Sequence, residues 1–233
     1  MTQACQIVVN PNNETSCGSS QQRFERNGKR KQMESKMRVE HFTAVTSLPA
    51  IEPVPHFPDR RWGTVLAADV VEYSRLTSLN EERTYLLYKS HRRELLDPKI
   101  AEHRARFVKS TGDGVLAEFR CALNAVRCAV QIQQGMAERC KGMSADRQIV
   151  FRIGLSCGNI IADPEDIYGH DVNVAARLQA VAPPGGIAMT DEVAKRVQAG
   201  LRLPLQDSGM QQFRNMCQPV HVFQCEFAGE YRR

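Results

Sequence analysis

Two short runs with strand character, Arg106–Ser110 and Val115–Phe119, are separated by only four residues, Thr111-Gly112-Asp113-Gly114. Glycine reaches backbone angles closed to other residues, and Asp bonds back to its own chain, so this tetrapeptide turns the runs into a β-hairpin. The hairpin is local and antiparallel, and helical patterns flank it on both sides. Upstream, the β-branched run Thr64–Val71 predicts a strand. Ser78-Leu79-Asn80-Glu81 has the spacing of a capping box and predicts a helix carrying Tyr85, Leu86, Tyr88, Leu95 and Leu96. Pro98 should restart or kink that helix, which runs on to about His103. Downstream, Cys121–Arg139 places Ala122, Val126, Ala129, Val130 and Met136 on one side of an amphipathic helix. Strands are expected at Ile149–Ser156 and Asn159–Ala162. Asp171 should cap a helix to about Val181, ended by Pro183-Pro184-Gly185-Gly186. A strand at Ile187–Thr190, a helix at Asp191–Ala199, and strands near Leu203–Gln206 and Val220–Cys225 follow. The first half therefore reads β-α-β-β-α-β: an α+β fold with a ferredoxin-like core, an antiparallel sheet with helices on one face, and extra C-terminal strands and helices. Such a fold hosts many functions and decides none.

Of the 233 residues, 42% are hydrophobic and 24% charged, enough for one sizeable core. Wholly disordered, collagen-like and small disulfide-scaffold chains are excluded. No stretch nears the ~18 consecutive apolar residues of a membrane span, so no stable membrane insertion is expected. Residues 1–60 hold much Asn, Gln, Ser and Pro without periodicity, and read as a disordered tail and Pro-rich linker. Within them, Arg23–Arg38 carries seven basic and two acidic residues. That segment reads as part of the tail, or as a basic arm for a polyanionic surface; Met33 and Met37 are alternative starts. Residues 61–228 form the folded domain, and 229–233 a short tail. The N-terminus lacks the basic and apolar regions of a signal peptide. The eight cysteines include no C-x-x-C. Cys121 and Cys128, seven apart on a predicted helix, read as small buried hydrophobes. A reducing cytoplasm with free thiols is expected, which makes the acceptor pattern Asn13-Glu14-Thr15 noise.

Two aspartates carry chemistry. Asp69 interrupts an apolar run near the end of the first strand, and Asp113 sits in the hairpin turn. Taken singly, each is a strand-end cap or an ordinary turn residue. If the first strand neighbours the hairpin, the two carboxylates approach, and like charges that close need a cation or a raised pKa. Oxygen donors without His or Cys suit Mg²⁺ or Mn²⁺ rather than Zn²⁺. Asn173 and Arg177 are four apart and share a helix face. On spacing alone that pair reads as a solvated outer face.

Taken together, Ala67-Ala68-Asp69-Val70-Val71-Glu72-Tyr73-Ser74-Arg75-Leu76, Lys109-Ser110-Thr111-Gly112-Asp113-Gly114 and Asp166-Ile167-Tyr168-Gly169 through Arg177 resemble the catalytic domain of class III nucleotidyl cyclases. The likeness covers about Arg61 to Phe227 and is nearest to bacterial adenylate cyclases of the rhizobial type. Each motif alone is weak, but three in order on the right elements are specific. The resemblance implies that Asp69, Asp113 and the Val70 carbonyl bind two divalent ions, Mg²⁺ or Mn²⁺. It implies that Arg152 contacts the nucleotide phosphates, Asn173 orients the ribose, and Arg177 stabilises charge on the α-phosphoryl group. The implied reaction turns ATP into 3′,5′-cyclic AMP and pyrophosphate. Lys109 and Asp166 would read the base: Lys only donates, an ionised Asp only accepts, and adenine offers the complementary acceptor and donor, whereas guanine reverses both. Guanylate cyclases of the family carry other residues at these two positions.

Two departures stand out. Where the family places a triphosphate-binding Lys near the C-terminus, this chain has Arg214, which keeps the charge with a different reach. Asp163-Pro164-Glu165 is shorter than the arm that animal cyclases carry there. The resemblance also implies a two-fold homodimer with shared sites. One subunit supplies Asp69, Asp113 and Arg152; the other supplies Lys109, Asp166, Asn173 and Arg177. An alternative is a cyclase-like regulatory module that binds nucleotide without turnover. A diguanylate cyclase would need a different hairpin sequence. The net charge of +5 divides into +3 for residues 61–233 and +2 for the first 60, neither a nucleic-acid surface by count, and the resemblance assigns Lys109, Arg152, Arg177 and Arg214 to one small polyanion, a nucleoside triphosphate.

Overall fold

The structure, a computed structural model, describes residues 59–227. The readings of the N-terminal tail, its basic segment, the alternative starts and the last residues lie outside that range. The first strand, β1 (Asp59–Val70), includes Asp59 and Arg60, the end of the expected linker. It reaches back that far because its antiparallel ladder with β4 (Phe151–Ala162) is continuous from Asp59↔Ala162 to Val70↔Phe151. The same ladder explains why β4 is one strand where sequence suggested two. Gly158 lies within it, and its missing side chain makes room for a helix rather than ending the strand.

After β1, α1 (Tyr73–Leu79) and α2 (Glu81–His91) replace a single helix start. Ser78 is not the cap: its hydroxyl donates to the Ser74 carbonyl at 2.8 Å. Asn80 caps α2 instead, its side chain accepting from the Arg83 N–H at 2.9 Å. A π-helical turn, Arg92–Leu96, leads into α3 (Asp97–Glu102), so the helix restarts where Pro98 fits its first turn. The hairpin strands β2 (Arg106–Ser110) and β3 (Val115–Phe119) have the expected bounds. Then come α4 (Ala122–Cys140), β4, the two-residue β5 (Ile167–Tyr168) and α5 (His170–Val181). The chain continues through β6 (Gly186–Thr190), α6 (Asp191–Gln198), β7 (Gln206–Gln211) and β8 (Val220–Glu226). β7 begins where the sequence reading ended that strand, because Gln206 is where pairing with β8 begins.

The strands form one sheet in the order β2-β3-β1-β4-β6-β8-β7, with β5 beside β4. All pairs are antiparallel except β4 with β6. The first four strands thus keep the ferredoxin-like order. Alternation along β1 splits the core. Leu66, Ala68 and Val70 pack under α1–α4 and α6, whereas Val65 and Ala67 face Leu116, Ile160 and Ala175 of α5. The helices of the ferredoxin-like core, α1–α4, thus lie on one face as expected, and α5, beyond that core, covers the other. Cys128 is buried, and burial pushes its thiol up to about 12; Cys121 is instead an exposed helix-capping position. Among the described residues no helix is long and apolar enough to cross a membrane.

Candidate functional site

The expected site residues fall into three groups, all tied to the α5 face of the sheet. The first is built by register. Asp69, next to last in β1, sits opposite Arg152 of β4. The Arg152 Nε donates to Asp69 Oδ1 at 3.3 Å and Nη2 to Oδ2 at 3.1 Å, a forked pair. Its remaining Nη1 donates to the Ala180 carbonyl at 3.2 Å, in the last turn of α5, where a cation is favoured. Val70 follows at the end of β1. The hairpin turn is held against β1 at the same level: Ala68 pairs with Val115, and Thr111 N–H donates to the Gly114 carbonyl at 3.0 Å. A side chain on Gly114 would stand 2.5 Å from the Ala68 carbonyl oxygen, so only glycine permits this approach. Tyr88 of α2 donates its hydroxyl to the Gly114 carbonyl at 3.1 Å and fixes the turn from the far side.

This docking brings Asp113 into the field of Asp69. Burial pushes the Asp113 carboxyl above the ordinary carboxylate range, and the Asp69 charge pushes it further, while Arg152 opposes. The pair offers oxygen donors only, and no cluster of three or more His, Cys, Asp or Glu forms among the described residues. Two carboxylates in mutual repulsion, with no soft ligand nearby, fit a hard divalent cation.

The second group joins residues far apart in sequence. Lys109 Nζ lies 2.5 Å from Asp166 Oδ2. Burial alone would raise the Asp166 carboxyl; the Lys109 ammonium and the Ile167 N–H, which donates at 2.8 Å, lower it overall. A register shift between Phe107 and Lys109 sets Lys109 opposite Leu116. A strict two-residue alternation would have placed Arg106 and Lys109 on opposite faces; the bulge puts both on the α5 side.

The third group lies on α5. Glycines allow this helix to touch the sheet: a side chain on Gly154 would meet the Ala175 carbonyl oxygen at 2.2 Å, and one on Gly158 the Asp171 carboxylate at 2.0 Å. Asp171 therefore does not cap α5, which starts from Gly169; its carboxylate accepts from Ser156 at 3.0 Å. Val174 and Leu178 pack inward on Phe213, leaving Asn173 and Arg177 exposed beside Arg214. These three, with His170 and residues 215–218, line an open cleft of about 580 Å³. Among the described residues neither Arg177 nor Arg214 has an ion-pair partner, so the cleft presents two uncompensated cations. No hydrogen bond or ion pair among the described residues joins Asn173, Arg177 or Arg214 to either of the other groups.

Sequence reasoning missed Arg106, Arg61 and Glu118. Glu118 is 4% exposed within the apolar run Val115–Phe119, and a carboxylate in such a run was the available signal. Its oxygens accept from Arg61 Nε at 2.7 Å and Nη2 at 2.8 Å.

Comparison with known proteins agrees with this architecture. The family described as the adenylate and guanylate cyclase catalytic domain matches residues 62–218. A putative adenylate cyclase 3 of Rhizobium meliloti is 42% identical over 164 residues, covering 70% of this chain and 28% of that protein. An adenylate cyclase of Streptomyces griseus is 30% identical over 60% of this chain and 33% of its own. The chain thus spans a third or less of these relatives' length. Among solved structures, an adenylate/guanylate cyclase/hydrolase from Silicibacter pomeroyi is 41% identical with a TM-score of 0.71, covering 74% of this chain and all of that one. The adenylyl cyclase CyaB from P. aeruginosa, 19% identical over 75% of this chain and 98% of its own, shares the fold at a TM-score of 0.63.

Proposed function

We propose, from the premise that this chain belongs to the adenylate and guanylate cyclase catalytic domain family, that it is an adenylate cyclase converting ATP to 3′,5′-cyclic AMP and pyrophosphate. The observation that carries the choice of base is the Lys109–Asp166 pair. A donor and an acceptor stand side by side on a half-exposed edge, matching N1 and N6 of adenine; guanine would set donor against donor and acceptor against acceptor. Against the effect of burial, Lys109 and the Ile167 N–H hold the Asp166 carboxyl below its ordinary range, which favours the acceptor form that the discrimination requires.

In the reaction, the ribose 3′-oxygen bonds to the α-phosphorus. The bond from that phosphorus to the bridging oxygen breaks, pyrophosphate leaves with the electron pair, and the hydroxyl proton passes to water. Asn173 orients the ribose. Arg177 faces the charge that grows on the α-phosphoryl oxygens, and Arg152 and Arg214 hold the triphosphate. Two divalent ions, Mg²⁺ or Mn²⁺, held by Asp69, Asp113 and the Val70 carbonyl would lower the pKa of the attacking hydroxyl and neutralise the leaving phosphates. Among the described residues no hydrogen bond or ion pair joins Asn173, Arg177 or Arg214 to Asp69 or Asp113, which supports completion of the site by a second copy. One protomer supplies Asp69, Val70, Asp113 and Arg152, and its partner supplies Lys109, Asp166, Asn173 and Arg177.

The test is purified protein with ATP or GTP and Mn²⁺, with the product identified by mass spectrometry. Cyclic AMP from wild type and at least about 100-fold less from Asp113→Ala is the expected result. Intact ATP at every metal and protein concentration would instead support a nucleotide-binding regulatory module.

A further inference from the structure

We infer that Arg106 is a positioning residue for base selection, acting through the loop that carries Asp166; the inference rests on the adenylate reading of the Lys109–Asp166 pair. The guanidinium Nη2 of Arg106 lies within hydrogen-bond reach of three backbone carbonyls of one loop: Asp163 at 2.5 Å, Asp166 at 3.1 Å and Pro164 at 3.3 Å. That loop otherwise closes on itself through the Asp163 N–H to the Asp166 carbonyl at 2.9 Å and the Glu165 N–H to the Asp163 carboxylate at 3.0 Å. Holding the Asp166 carbonyl from the sheet side sets the backbone from which the Asp166 carboxylate reaches Lys109. The other arm of Arg106, Nη1, stands 3.7 Å from the buried Glu118 carboxylate, which Arg61 clamps with a fork. Glu118 therefore anchors Arg106 by charge, and Arg106 anchors the loop by donors.

The bulge in β2 completes the argument. It turns Arg106 and Lys109, three residues apart, onto the same face. One strand thus supplies both the residue that reads the base and the residue that holds its reading partner in place. A guanidinium suits the task, because Nη2 reaches the loop carbonyls while Nη1 stays beside Glu118, two directions that a single lysine nitrogen cannot serve from one place.

The experiment compares wild type, Arg106→Gln, Arg106→Lys and Glu118→Gln, each checked for native mass and melting temperature. Calorimetry measures the Kd for ATP and for GTP, and initial rates measure kcat and KM. For Arg106→Gln the expected outcome is about a tenfold rise in the ATP Kd and KM and a similar loss of ATP-over-GTP preference, with kcat changed far less. Arg106→Lys should restore part of the preference, and Glu118→Gln should lose part of it. An unchanged ATP-to-GTP Kd ratio in folded Arg106→Gln overturns the inference, as does a fall in kcat alone. If Arg106→Gln does not fold, the ratio in Arg106→Lys decides by the same criterion. A wild type that binds ATP but forms no cyclic AMP sinks the cyclase reading, while the Kd ratio still scores Arg106.

Discussion

Asp69 is already ion-paired before any cation arrives. Its two oxygens accept from Arg152 at 3.1 and 3.3 Å, and Arg152 is also held by the Ala180 carbonyl. Both residues are partly exposed, so the pair can open, but a cation approaching Asp69 alone must displace a guanidinium and meet its charge. On the proposed cyclase reading a nucleotide would relieve this competition, since triphosphate oxygens would offer Arg152 an alternative partner as the metal enters. Metal and nucleotide should therefore bind better together than apart, by the reciprocity of linked equilibria. Arg152→Gln removes the competitor. Its affinity for Mn²⁺ in the absence of nucleotide should rise by roughly tenfold, the scale of one charge-assisted interaction. Its ATP affinity should fall. Electron paramagnetic resonance of free Mn²⁺ during titration reads the first effect without any turnover. Equal Mn²⁺ affinity in wild type and variant would show that the Asp69–Arg152 pair does not gate the metal.

Among the elements, α5 has the narrowest tolerance, because it rests directly on β4 at Gly154. Gly154→Ala must push the helix outward, since the new methyl would lie 2.2 Å from backbone atoms of Ala175 and Gln179. The expected cost is about 1–3 kcal/mol in chemical denaturation, typical of overpacking, together with lost activity as Asn173 and Arg177 shift. Full stability in that variant would mean that α5 is not seated as described. This close seating was not legible in the sequence, where Gly154 reads as an ordinary strand glycine and Gly158 as a strand break. The hairpin was legible to the residue at Arg106–Ser110 and Val115–Phe119, because its signal is local: two short runs of strand character and a turn tetrapeptide. Elements whose limits depend on a distant partner were not. β4 continues through Gly158 because β1 pairs with it, and β7 begins at Gln206 because β8 does. The helix starts at Asn80 rather than Ser78 because the Asn80 side chain accepts from the Arg83 N–H, while the Ser78 hydroxyl turns back to the Ser74 carbonyl of α1. The same distinction holds at the site. The motifs named Asp69, Asp113, Lys109, Asp166, Asn173 and Arg177 by type and order, but the Arg106–Glu118–Arg61 network depends on register and on a bulge, and neither has a sequence signature.

At the scale of the whole molecule, the proposed cyclase reading divides the site into two halves carried by one chain. Asp69, Asp113 and Arg152 gather at the end of β1, while Asn173, Arg177 and Arg214 line a separate cleft, and no hydrogen bond or ion pair among the described residues connects them. A two-fold pair of such chains would oppose each half to its complement twice, giving two equivalent sites. The consequence is countable. In a heterodimer of Asp113→Ala with Arg177→Ala, one site inherits both lesions and the other inherits neither. Random pairing of the two variants in equal amounts makes about half of all dimers mixed, each with one intact site of two. Co-expressed variants should therefore recover about a quarter of wild-type activity per protomer, while each alone stays near zero. Native mass spectrometry of differently tagged subunits establishes the mixed fraction, so the activity can be scaled to it. If mixed dimers form and activity stays at the level of the single variants, each site lies within one chain and the shared arrangement is wrong.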